Sequence, residues 1–419
     1  MSLKTFKIDS LLRRAGLIFV AAAALVGAFF FAKWGFAYSA ASRTDSIEVA
    51  DLAVELGPDD PQTHFTAAVL YTKTFSAEDQ QRSLAEFEKA TALSPNNYLL
   101  WLELGKAREH SGDRIGAEGA LRKALELAPN YAQVQWTLGN ALLRQGKTDE
   151  AFAEIRKAAA GDPAFADAAA SAAWQILDGD ITQVRNAIGD SAQMNAALAT
   201  LLAGQKRFDE AFDIWNLIPA DEKKTLKETG EALFRHLIEA KKYRAAQRVG
   251  SQIGHDYLGD TISNAGFEEA LKPQNTGIFE WRIADGASPR IGPTEGQKHN
   301  GNYSLLISFG AESKDFRQVS QTVTVEPGKS YELELFYRAD LKTTAVYKWE
   351  IVDASVGKVI ASTNAIANTA EWTPLQAKLT VPANTDGVII RLVRDNCEAA
   401  NCPVSGNIWF DDFTLEILQ

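Results

Sequence analysis

The chain has 419 residues, 46% of them hydrophobic, so it exceeds one ordinary domain and can build more than one core. Its formal charge is −11 and its sequence pI is near 5.1, which excludes the basic face that a nucleic-acid partner requires. The acidic balance instead serves the solubility of an exported protein.

Residues 1–14 are short and basic, carrying Lys4, Lys7, Arg13 and Arg14. Residues 15–32, AGLIFVAAAALVGAFFFA, then run for 18 positions without a charge. Such a run suits a transmembrane helix. Its span is placed at 15–38, because Lys33, Trp34 and Tyr38 are side chains that settle at the lipid–water boundary. The positive cluster before it predicts a single pass through the inner (cytoplasmic) membrane, with a cytoplasmic N-terminus and all later residues periplasmic or extracellular. A cleaved signal peptide is the rival reading, since AYSAA offers small residues at a cleavage site. The apolar run is longer than the usual apolar core of a signal peptide, about 7–15 residues, which favours the anchor.

Residues 103–129, ELGKAREHSGDRIGAEGALRKALELAP, return in outline at 137–163 as TLGNALLRQGKTDEAFAEIRKAAAGDP. Leu104 and Gly105 pair with Leu138 and Gly139, Ala117 with Ala151, Ala124 with Ala158 and Pro129 with Pro163, all at a spacing of 34. A period of that length marks a helix–turn–helix repeat. Small residues let antiparallel helices approach, and proline closes one unit and opens the next. Trp101, Leu104, Gly105, Ala117, Leu121, Ala124 and Pro129 together resemble the tetratricopeptide repeat pattern. One period earlier, Leu70, Phe87, Ala90 and Pro95 form a looser unit, with Tyr71 for the glycine and an insertion-like TKTFSAEDQQRS in the turn. DSIEVADLAVELGP (45–58) reads as the closing helix of a still earlier unit. RFDEAFDIW (207–215) and KYRAAQRVG (242–250) keep the signature, with Gly250 replacing an aromatic, while 164–195 is too degenerate to assign. The expectation is an all-α superhelix of five or six hairpins over 45–255. The resemblance implies a protein partner in its groove, at Leu102, Lys106, Trp136, Asn140 and Arg144. There the cations and the amide would hold an acidic segment and Trp136 an apolar side chain, the rival being a solvated face with Trp136 partly packed.

From about residue 257 the rhythm becomes strand-like. YELELFYRA, AVYKWEIV, LQAKLTV, GVIIRLV and NIWFDDFTLEIL are short, aromatic and β-branched, and turns separate them. That pattern predicts an antiparallel sandwich over 257–419. SNAGFEE, Trp281, GQKHNGNYSLLISF, EWTPLQAKLTVP and GNIWFDDFTLEIL, in that order, look like a jelly roll of carbohydrate-binding-module type, the galactose-binding-like sandwich. The resemblance implies a structural calcium ion between first and last strands, held by Glu268 or Glu269 with Asp411 and Asp412. The rival is that Asp411 or Asp412 caps a turn or sits on the wet face. Sugar stacking needs an exposed ring beside polar groups. The candidates are Trp281, Tyr347, Trp349 and Trp372 as rings and Arg338 and Glu350 as hydroxyl partners, although the alternation of Tyr347 and Trp349 also suits a core strand. Cys397 and Cys402 share a turn-rich loop, where export would join them in a local disulfide. Two free thiols remain the alternative, and a structural zinc site would need four ligands.

No motif for catalysis stands out. His64, His110, His236, His255 and His299 are scattered, and no H-E-x-x-H, G-x-S-x-G, P-loop or dinucleotide fingerprint occurs. A non-enzymatic role follows as the expectation. The favoured role is a membrane-anchored exported scaffold that binds a protein through its repeats, in cell-envelope or polysaccharide assembly. The competing role is an envelope glycan-binding protein acting through the sandwich.

Overall fold

The structure is a computed structural model and describes residues 10–74, 76–257, 259, 261–272, 276–313, 316–395 and 403–418. Cys397 and Cys402 lie outside the described residues. Among those described, fifteen α-helices precede ten β-strands, and the chain forms two compact units, residues 1–194 and 195–419. The division falls before the change of sequence rhythm near 257, because the last helices pack on the sandwich.

Helix α1 (Leu11–Arg43) is long and apolar enough to cross a membrane, a property that a signal sequence shares. It continues past residue 38 into the helical array. Ala37 and Ala41 are buried near α2 (Ile47–Leu56) and α3 (Pro61–Thr72). The Thr66 hydroxyl donates to the Ala41 carbonyl at 3.1 Å. A Cβ on Gly57 would stand 3.0 Å from that of Ala37, so the approach there depends on a missing side chain. The closing helix read at 45–58 is α2, and its opening partner is the end of α1.

Three hairpins follow in unit one with the expected pairing: α3 with α4 (Ala77–Leu93), α5 (Tyr98–His110) with α6 (Arg114–Leu127), and α7 (Ala132–Arg144) with α8 (Thr148–Gly161). Each opening helix returns a side-chain hydrogen bond to the proline before it. His64 Nε2 bonds the Pro58 carbonyl at 2.7 Å, Trp101 Nε1 donates to that of Pro95 at 2.8 Å, and Gln135 Nε2 to that of Pro129 at 2.7 Å. These anchors lie 37 and then 34 residues apart, so the first turn carries three extra residues. That insertion corrects the alignment of the looser repeat. Ala68, not Tyr71, occupies the glycine position, buried against Phe87, with Ser83 Oγ donating to its carbonyl. The degenerate stretch forms α9 (Ala166–Ile176) and α10 (Ile181–Ile188), which pack together.

Unit two begins within α11 (Ala192–Gly204) and continues through α12 (Phe208–Asn216), α13 (Ala220–Lys223), α14 (Lys227–Glu239) and α15 (Tyr243–Gln252). The sandwich consists of two antiparallel five-stranded sheets. One runs β1 (Arg282–Ile283), β4 (Val319–Thr324), β9 (Gly387–Arg394), β6 (Tyr347–Asp353), β7 (Val359–Ser362). The other runs β2 (Arg290–Thr294), β3 (Ser304–Ser313), β10 (Val404–Ile417), β5 (Ser330–Ala339), β8 (Thr369–Thr380). Strand β5 alternates strictly, with Tyr331, Leu333, Leu335, Tyr337 and Ala339 inward. The outer face of the first sheet receives α14 and α15. Tyr243 is buried with Phe279 and Ala354, and Phe234, Ile238 and Ile389 pack against them. Asp386 accepts the first amides of α15, from Tyr243 at 3.1 Å and Arg244 at 3.2 Å, and Thr324 Oγ1 donates to Gln247 Oε1 at 2.9 Å. Tyr257 fills the space that Gly250 leaves open: a Cβ there would meet its ring at 2.6 Å.

Two glycines of the repeats give substitutions of opposite sign. A Cβ at Gly139 would stand 2.7 Å from Ile155 Cγ1 and 3.1 Å from the Ala151 carbonyl, whereas Gly119, on the exposed face of α6, has open space. Gly139→Ala is expected to lower stability by about 1–3 kcal/mol through overpacking, and Gly119→Ala to raise it by up to about 1 kcal/mol through helix propensity. Urea unfolding of the full chain in detergent, followed by helical circular dichroism, checks both.

Candidate functional site

The repeats form an open groove of about 610 Å³ beside α5, α6 and α7. Lys106, Trp136, Asn140 and Arg144 line it, together with Glu109 and His110. Lys106 Nζ pairs with Glu103 at 2.8 Å and Arg144 with Glu109 at 3.3 Å, so both cations already have carboxylate partners. Asn140 Nδ2 donates to the Trp136 carbonyl at 2.9 Å, and the Trp136 ring stacks on Phe165 with centroids 5.0 Å apart. Leu102 is a correction. It is 2% exposed and packs with Leu121, Val134 and Leu138, because one turn before Lys106 helix α5 is covered by its neighbours.

Three of the four predicted sugar-stacking rings are also corrected. Trp281, Tyr347 and Trp349 are 2%, 1% and 0% exposed and sit between the sheets. Trp281 and Trp349 meet Phe413 edge to face at 5.0 Å each. Burial pushes the Tyr347 phenol up to about 12. Glu350 lies on the other phase of β6, ion-paired to Arg391 at 2.8 Å, on a different sheet from Arg338.

Trp372 and Arg338 stand on the outer face of the second sheet, and that face holds rings that the sequence reading missed. Phe336 and Arg338 occupy the outward phase of β5, and Trp409 of β10 is the cross-strand partner of Arg338. The Arg338 guanidinium lies 6.0 Å from the Trp409 centroid and donates to Gln297 Oε1 at 2.9 Å. The His299 imidazole is stacked on Phe336, with centroids 3.8 Å apart and planes 12° apart, and its centroid is 5.8 Å from that of Trp372. The signal was present in the strand patterns: an apolar Phe336 at an outward position of YELELFYRA and a Trp409 out of phase with Ile408 and Phe410. A row of half-buried rings with interleaved polar groups can stack the apolar face of a sugar and bond its hydroxyls.

A β-bulge in β10 shapes the rim of this face. The register with β5 shifts between Asp411 and Thr414, and Asp412 adopts a left-handed φ of 49°, which aspartate tolerates. The bulge aims both carboxylates at loop 297–303. Asp411 Oδ2 accepts the amides of His299 at 2.8 Å and Asn300 at 3.3 Å, while Asp412 Oδ2 lies 2.6 Å from His299 Nδ1. Glu268 Oε1 accepts the amides of Asn302 at 2.7 Å and Tyr303 at 3.1 Å. A Cβ on Gly301 would fall 2.1 Å from that oxygen, so the clamp requires glycine there. Burial raises the Asp411 carboxyl above the ordinary carboxylate range, and the Tyr303 and Asn302 amides hold that of Glu268 below it.

Glu268, Asp411 and Asp412 thus converge around Gly266, as the calcium expectation requires. Their oxygens, however, accept bonds from the loop, Glu269 is exposed, and no group of three or more His, Cys, Asp or Glu among the described residues is arranged to hold a metal.

Among solved structures, the chain is similar to a CBM4 structure at 20% identity, covering 38% of this chain and 99% of that one, TM-score 0.29. It is also similar to the crystal structure of MamA at 16% identity, covering 43% and 89%, TM-score 0.28. A third is the CBM22-1 xylan-binding domain from Paenibacillus barcinonensis Xyn10C at 15% identity, covering 39% and 99%, TM-score 0.27. No curated protein matches the chain. Residues 259–396 match the model of a family described as a carbohydrate binding domain, a non-catalytic kind of domain, and this segment carries Phe336, Arg338, Trp372 and His299.

Proposed function

We propose that the chain is a membrane-anchored, exported scaffold that holds a polysaccharide on the second sheet of its sandwich and a protein partner in the groove of its repeats, in cell-envelope or polysaccharide assembly. The observation that carries this reading is the outward row of Phe336, Trp372 and Trp409 around Arg338, of which Phe336, Arg338 and Trp372 lie within the segment that matches a carbohydrate binding domain. With strands about 4.8 Å apart, rings on β8, β5 and β10 span roughly two linked sugars, which suits a chain better than a single sugar. Affinity electrophoresis of the full chain in detergent, in gels containing β-1,4-xylan, β-1,4-galactan or β-1,4-glucan, tests it. Retention by at least one gel is expected, weakened about tenfold by Trp372→Ala or Trp409→Ala and unchanged by Glu350→Gln. A folded wild type that no gel retains would overturn the sugar-binding reading.

The groove supports the second half of the proposal. Its cations are paired with Glu103 and Glu109 at partly exposed positions, where such pairs contribute only about 0–1 kcal/mol, so an acidic partner segment can displace the internal carboxylates. Cross-linked cells carrying Lys106→Glu and Arg144→Glu together are expected to lose partners that the wild type captures. An identical set of captured proteins would reject this groove.

An uncleaved anchor is supported by the packing at the end of α1. Cleavage near Ala40 would remove Ala37 from beneath Gly57 and leave the first hairpin without most of its opening helix. The intact mass of the mature protein is expected to include residues 15–43. A mature start near Ala40 would establish the signal peptide instead.

A further inference from the structure

The loop rim brings a fourth ring to the sugar face, and its geometry is that of a reading group rather than a packing group. His299 lies flat on Phe336, close to Trp372, and its side chain is 32% exposed. Asp412 Oδ2 engages Nδ1 over 2.6 Å, which leaves Nε2 as the ring nitrogen available to a ligand hydroxyl. Among the described residues Nε2 has no hydrogen-bond partner. The loop that carries His299 is held on both sides, by Asp411 through the amides of His299 and Asn300 and by Glu268 through those of Asn302 and Tyr303. A ring fixed by stacking, by a carboxylate and by four anchored amides loses little freedom when a ligand arrives, which makes its remaining hydrogen bond selective.

We propose that His299 is the hydroxyl-reading residue of the sheet face, hydrogen-bonding through Nε2 to a hydroxyl of a polysaccharide whose sugar rings stack on the neighbouring aromatics, and that Asp412 is its positioning residue. This rests on the sugar-binding reading of the same face. The ligand class that follows is a hydroxyl-rich chain with an unsubstituted hydroxyl directed at the rim. A chain in which that hydroxyl is acylated or replaced would cover Nε2 without a matching partner and be disfavoured, because a polar atom covered without a partner costs more than an absent contact. Arg338 and Gln297, joined at 2.9 Å, offer a second polar pair on the same face.

The test uses the polysaccharide gel that retains the wild-type full chain, with His299→Ala, His299→Gln, Asp412→Asn and Trp372→Ala run side by side after thermal unfolding shows each folded. His299→Ala is expected to weaken retention about tenfold. His299→Gln, which places an amide near the Nε2 position, recovers part of the loss, and Asp412→Asn gives an intermediate loss. Chemical acetylation of the polysaccharide should lower wild-type retention and erase the difference between wild type and His299→Ala. Retention of His299→Ala equal to or stronger than wild type, with Trp372→Ala still weakened, would show that the imidazole only covers Phe336 and would overturn the proposal while sparing the sugar-binding reading. Absence of retention by wild type in every gel would overturn both.

Discussion

The second unit depends on one close approach. Tyr243 lies over Gly387, where a Cβ would stand 2.5 Å from its ring, and Asp386, the neighbouring residue, accepts the first two amides of α15. A helix terminus buried without acceptors would cost several unsatisfied amides, so the residue just before strand β9 supplies from the sandwich what Lys242, the residue at the cap position, does not. The contact seats the last hairpin on one sheet. It thereby decides which sheet face remains for a ligand, since Ile389 and Thr324 of the first sheet are taken up by the hairpin.

The other sheet owes its character to an irregularity. A regular β10 would send Asp411 and Asp412 to opposite faces. The bulge and the left-handed Asp412 let both reach loop 297–303 while Phe410 and Phe413 both stay buried. The same local distortion therefore completes the core and furnishes the rim. Buried Asp411 is tolerable there because it accepts amide hydrogens, the usual condition for a polar group inside a sandwich.

The architecture was largely legible because its cues arise from close contact. Gly105, Gly139, Ala117 and Ala151 are small since helices touch at them, so the period could be read. The three extra residues in the first turn were harder to place. They keep Phe87, Ala90 and Pro95 in register while shifting the opening helix, and the recurring contact there is made by His64, Trp101 and Gln135, side chains with no common chemistry beyond a nitrogen aimed at a carbonyl. In the sandwich, alternation shows which residues share a face but not which face is wet. Tyr347 and Trp349 share a face, and it is the inner one. Phe336 and Trp409 share polar phases with charged neighbours, and only the paired register shows them as one surface. The meeting of Glu268 with Asp411 and Asp412 was legible as a convergence of carboxylates. Their partners, the amides of a loop, carry no side-chain signature.

Helix α1 has 33 residues and no break before its last turns enter the first hairpin. On the proposed seating in a bilayer, the distance from Ala32 to Ala41 is only ~14 Å at the helical rise, so the array begins at the headgroups. A domain hung on a coil swivels; one built onto the shaft of its own anchor turns only when the shaft turns. The repeats would then search for partners in a thin layer at fixed height, in two dimensions, and a tilt or rotation of the helix within the lipid would be delivered to the first hairpin as torque.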